Sequence, residues 1–222
     1  KLSLNSKQVL VIIPAVLLLG FFIYKTVDPS LPMESGRMAN ELAPSVVLQN
    51  QPVSYEQQVK PILERRCVVC HGCYDAPCQL KLSSGEGLRR GASPERIYDS
   101  TRMTSMQPTR LFIDALNTQE WRSKGFSSVL NESQPTPENN LENSVLYHLL
   151  RLKERYPQPD KGPLPDSFTL GLDREQMCPT METIDDYVDE HPLWGMPYAM
   201  PNLTEQEYRT LVSWLAQGAS VS

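Results

Sequence analysis

Residues 54–71, SYEQQVKPILERRCVVCH, join a helix to a thiol-thiol-imidazole motif. Ser54 and Gln57 stand at capping-box spacing, and Val59, Ile62 and Leu63 then fall on one helical face. Pro61 lies inside that run, and the missing N–H and fixed φ of proline predict a kink or a break there. The helix delivers Cys67 to its end, and Cys67-Val68-Val69-Cys70-His71 is C-x-x-C-H. In this spacing two thiols form thioethers to the vinyl groups of haem, and the next imidazole becomes the proximal ligand of the iron. A structural zinc site would want a second Cys/His pair, and a thioredoxin-like pair would want a strand before it and a helix after it. The motif therefore predicts covalently attached haem c, held by Cys67 and Cys70 with iron on His71.

The second clear element is NLTEQEYRTLVSWLAQGA, residues 202–219. Thr204 and Glu207 form a capping box, Tyr208, Leu211, Val212 and Leu215 make the apolar stripe, and Gly218 ends the helix. Two methionines precede it in GMPYAMPNLT, and small c-type cytochromes commonly place Met-Pro shortly before a final helix of this kind. Met196, eight residues ahead of Thr204, leaves the chain more room to cross from the distal face of a haem than Met200 does, so Met196 is the preferred distal ligand and Met200 the alternative. His191 and His148 are the remaining imidazoles, the first beside Pro192 and the second inside the helical run LENSVLYHLLRL.

Between His71 and Met196 lie far more residues than a minimal cytochrome c needs. The expected fold is mostly α, with a cytochrome c-like haem domain over 54–222 that carries a long, largely helical and irregular insertion at about 79–180. Further helices are expected at 93–102, 109–120, 142–156 and 182–190, with 131–140 and 157–167 as loops; no alternating strand pattern appears. Cys73, Cys78 and Cys178 remain. A Cys73–Cys78 bridge closing CYDAPC is one connectivity, and Cys178 joined to either of them is the other.

The N-terminus sets the expected compartment. VLVIIPAVLLLGFFIY, residues 9–24, is uncharged and has no polar face, so residues 1–27 read as a signal sequence or membrane anchor. Lys1 and Lys7 precede it, which orients the N-terminus inside and exports the body to the periplasm. Residues 28–53, rich in proline and polar side chains, read as a linker. The net charge of -5 gives no basic footprint, which sets nucleic acid aside as a partner.

CVVCHGCYDAPCQLKL, followed by RGASPERIYDSTRM, PTRLFIDA and EWRSKGFSSVLN, resembles the N-terminal part of the bacterial fatty acid cis/trans isomerases, periplasmic haem c proteins, from about Tyr55 through Ala219. The resemblance implies conversion of cis double bonds to trans in the unsaturated acyl chains of membrane phospholipids, with haem on Cys67, Cys70 and His71 and a stiffer membrane as the result. It makes phospholipids with cis-unsaturated chains the partners, reached from the inner membrane that residues 9–24 would occupy. Members of that family are longer than this chain, which is expected to be its haem-bearing portion. The alternative expectation is a membrane-anchored c-type cytochrome that transfers electrons.

Overall fold

Pro61 has no N–H to donate four residues back, and the helix accommodates this by changing type. The computed structural model describes residues 47–73, 76–95, 97, 109–159, 161–163, 168 and 177–221. In it a π-helical turn, Tyr55–Val59, leads into helix α1, Lys60–Arg66, with Pro61 in the first turn of α1, where no N–H is needed. The Ser54 side chain accepts from the Gln57 N–H as a capping box requires, at 3.3 Å, but the side chain that returns to the Ser54 N–H is that of Gln58, at 2.8 Å. The wider π turn has moved the return partner on by one residue.

The C-terminal helix α7, to be reached last, is fixed at its start by a complete capping box and forms the centre of the core. Before it come α2 (Gly85–Arg90), α3 (Thr118–Ser123), α4 (Pro137–Glu142), α5 (Val145–Arg155) and α6 (Ile184–Glu190); α7 itself is Glu205–Ala216. Ser84, Asn117, Thr136, Ser144 and Thr204 cap α2, α3, α4, α5 and α7, each accepting a backbone N–H three residues on. The protein is mostly helical. Among the described residues there is no strand, only isolated bridges such as Ala92 with Ser127.

α7 is packed against by the π turn, α4 and α5, while α6 lies on α5 and α2 on α3. Tyr55 meets Trp214 with ring centroids 5.9 Å apart, and Val59, Ile62, Leu63, Leu211, Val212 and Leu215 are buried around them. Each such side chain contributes about 1.5–3 kcal/mol by leaving water. α4 and α5 fall within the stretch expected as an insertion, yet they share this core: the Asn140 amide donates to the Ala216 carbonyl at 2.9 Å. The end of the expected linker is also docked on α7. Gln49 N–H donates to Ser213 Oγ at 2.9 Å, and the Gln217 side chain accepts from Val53 N–H at 2.8 Å.

Two expectations need correction, a helix and a loop. The 109–120 helix does not form: Phe112 sits at φ 66, in the left-handed region, and helix begins only where Asn117 caps α3. The 131–140 loop is helical from Pro137, because Thr136 caps and Pro137 is pre-set for a first turn. Ser93, Pro94 and Glu95 are not helical, and most of the 93–102 stretch lies outside the described residues. The apolar segment 9–24 also lies outside them; among the described residues no helix is long and apolar enough to cross a membrane.

Candidate functional site

α1 ends by handing its last backbone acceptor to the motif. Cys67 N–H donates to the Leu63 carbonyl at 2.8 Å, and the N–H groups of Cys70 and His71 both turn back to the Cys67 carbonyl, at 3.1 and 2.9 Å. The whole C-x-x-C-H sequence is thus one tight turn on the end of a helix. Gly72 is required to close it, since a Cβ there would stand 2.6 Å from the Val68 carbonyl oxygen.

Cys67 is half-buried. Burial, reinforced by the neighbouring Cys70, pushes its thiol up to about 12, so it is protonated and a poor nucleophile at neutral pH. Cys70 is exposed. His71 is 8% exposed, and its Nδ1 lies 3.2 Å from the Leu80 carbonyl oxygen. Burial pulls the imidazole pKa down, against the hydrogen bonds to the Leu80 and Pro77 carbonyls. A neutral imidazole that donates to a carbonyl carries its proton on Nδ1, which leaves the Nε2 lone pair for a metal. Among the described residues no group of three or more His, Cys, Asp and Glu side chains converges on one point as a metal cage would. Cys67, Cys70 and His71 are the side chains of this turn that could hold a covalently attached haem.

Met196 and Met200 are both half-buried in the loop ahead of α7. Met196 N–H donates to the Leu149 carbonyl at 2.9 Å, and Gly195 presses against α5 so closely that a Cβ would lie 2.2 Å from the Lys153 backbone nitrogen. The loop bearing both methionines is therefore seated on α5. His191 stacks on Trp194 with centroids 4.2 Å apart, and His148 Nε2 lies 2.9 Å from the Glu142 carbonyl oxygen at the end of α4.

The disulfide joins Cys78 to Cys178, with Cα atoms 5.6 Å apart, and not Cys73 to Cys78. Cys78 adopts φ 56 inside the short 3₁₀ turn Pro77–Gln79, which directs its sulfur away from the CYDAPC loop towards Met177 and Cys178. The bridge stands at the root of the stretch read as an insertion and brings its two ends together.

Two buried cations escaped the sequence reading. Arg90 is 1% exposed and donates from Nη1 to the Thr109 carbonyl at 2.7 Å and from Nη2 to the Gln79 carbonyl, with its guanidinium 5.0 Å from the Phe126 centroid. Arg90 thus serves packing. Lys153 is 3% exposed, its Nζ has no hydrogen-bond partner, and burial pulls its pKa down to about 8. Its sequence signal was lost because position 153 reads as an ordinary polar place in an amphipathic helix.

The fold and this turn together define a helical protein that carries two thiols and a carbonyl-bonded imidazole on one tight turn at the end of α1. Residues 106–222, more than half of the chain, match the family model described as fatty acid cis/trans isomerase. The chain belongs to the fatty acid cis/trans isomerase family, and is accordingly an enzyme of that class. The matched region begins C-terminal to the C-x-x-C-H turn, within the stretch read as an insertion. No curated protein and no solved structure gives a significant match.

Proposed function

We propose that this protein carries haem c covalently on Cys67 and Cys70, with His71 as proximal ligand, and that it converts cis double bonds in unsaturated phospholipid acyl chains to trans. The reaction is placed in the periplasm, at a membrane to which residues 9–24 hold the chain. One observation carries the haem assignment: a buried His71 whose Nδ1 is committed to the Leu80 carbonyl, at the end of a C-x-x-C-H turn.

Isomerisation transfers no atom and needs no acid/base pair. It needs the π overlap of one C=C bond to be weakened while the chain rotates, in a site closed to water. Bound haem would supply an electron-poor iron centre able to draw density from a double bond held against it. The protein's part is positional. Cys67 and Cys70 would hold the group covalently, Leu80 orients the His71 ring and raises its basicity, and the π turn ahead of α1 packs on α7, to which Arg66 also bonds through Glu207. Met196, or Met200 in its place, would supply a thioether to the bound group.

The test mixes purified, haem-loaded protein with vesicles of a cis-monounsaturated phospholipid and reads trans chains by gas chromatography. Trans product that disappears in His71→Ala is the expected result. An intact low-spin haem spectrum without product overturns the catalytic assignment, and a pyridine haemochrome lacking the thioether shift overturns the covalent one.

A further inference from the structure

Among the described residues, three of the large apolar side chains that stand mostly in water crowd into five consecutive positions: Phe112 and Ile113, each 66% exposed, and Leu116, 78% exposed. Single exposed apolar residues need no explanation, whereas a cluster marks a surface with a partner. This one is held out by its own construction. Leu111 and Ala115 bridge each other at its base and pack on Trp121 and Phe126, so both ends of the tip are rooted in a small buried cluster. The Asp114 carboxylate accepts the Arg110 backbone N–H and two hydrogen bonds from its guanidinium, at 3.0 and 3.2 Å, which staples the turn from below. Phe112 sits at φ 66, unfavourable for an aromatic residue.

We propose that residues 111–116 form a finger that inserts into the interfacial layer of a phospholipid bilayer and docks the enzyme on its substrate. This rests on the acyl-lipid reading of the family, which puts the substrate chains inside a bilayer. An exposed cluster of Phe, Ile and Leu suits the boundary of headgroups and acyl chains. The charges at its base nearly balance: Asp114 pairs with Arg110 and Glu120 accepts the Leu116 N–H at 2.8 Å, while the exposed Lys124 also acts on Asp114. Lys81, Ser83 and Ser84 line a groove of about 410 Å³ against Leu111 and Phe112. The apolar tip, not a net charge at its base, therefore sets the approach.

The experiment uses the full chain, so that residues 1–46 are present in every arm. Phe112→Trp, Leu116→Trp and, as a remote exposed control, Tyr156→Trp are each mixed with vesicles of phosphatidylethanolamine and phosphatidylglycerol, with and without bromine at mid-chain. The difference from the wild-type emission reads the new tryptophan. Blue-shifted emission and bromine quenching at 112 and 116, absent at 156, is the expected result. Quenching at none of the three, or equally at all three, overturns the finger. A blue shift at 112 that grows with protein concentration without lipid overturns it in favour of a second copy of the chain. Trans product from the same vesicles is scored separately: quenching without product leaves the finger standing and removes the isomerase reading, and product without quenching does the reverse.

Discussion

Arg66, the last residue of α1, donates to both carboxylate oxygens of Glu207, at 3.1 and 2.9 Å, and Glu207 is at the same time the return partner in the capping box of α7. One carboxylate therefore closes the start of the C-terminal helix and fastens it to the end of the helix that carries Cys67.

Burial pushes the Glu207 pKa up, but the hydrogen bonds from Arg66 and Thr204 more than offset this and hold it down to about 2. A folded-state pKa below the ordinary 4.5 means that stability is present above pH 4.5 and is lost as pH falls towards 2. Glu207→Gln removes that window. It is expected to cost about 2 kcal/mol at pH 7 by urea unfolding, and the variant's stability should be flatter between pH 4.5 and 2 than the wild type's.

Lys153 has the opposite sign. Its amine is harder to protonate folded than unfolded, so stability rises as pH climbs from about 8 to 10.5 and is lowest below that window. Lys153→Met keeps the length and removes the buried charge. At pH 7 it is expected to gain up to roughly 3 kcal/mol, with the pH slope between 8 and 10.5 abolished. An unchanged slope would place the titrating group elsewhere.

The disulfide spans 100 positions in the sequence, and a loop of that size is expected to contribute roughly 3–5 kcal/mol. Cys178→Ser and Cys78→Ser should each lower the melting temperature by the same amount, and added reductant should bring the wild type down to them. Cys73→Ser should leave the reductant-sensitive part of the melt intact. A melt in which Cys73→Ser abolishes that part would reassign the bridge.

Arg90→Met would leave the Thr109 and Gln79 carbonyls without their donor inside the protein. A loss of about 3 kcal/mol is expected, with Arg90→Lys recovering little, because a single ammonium cannot serve both carbonyls and stack on Phe126. Thermal unfolding of the three proteins in parallel decides this.

The parts legible in the sequence were those governed by local rules. The Thr204 capping box and the stripe of α7 repeat at fixed spacing, and the C-x-x-C-H turn is contained in five residues. What was missed depended on partners far along the chain. The pairing of Cys78 follows from a left-handed backbone angle and the position of Cys178, neither visible in CYDAPC. The 109–120 stretch has apolar residues at helical spacing, but the Asp114 staple to Arg110 and the capping of α3 by Asn117 suit a turn followed by a short helix. The acceptor for His71 is a backbone carbonyl nine residues on, which carries no side-chain signature at all.

The Cys78–Cys178 link also makes the intervening chain a closed ring. A protease that cuts once inside it, in a loop such as 131–136, cannot release either piece, and the nicked molecule gains only one water until reduction separates the two fragments. The ring holds α2 to α5 together with the exposed apolar tip, so damage there leaves the tip tethered to the C-x-x-C-H turn, whose own residues lie outside the ring.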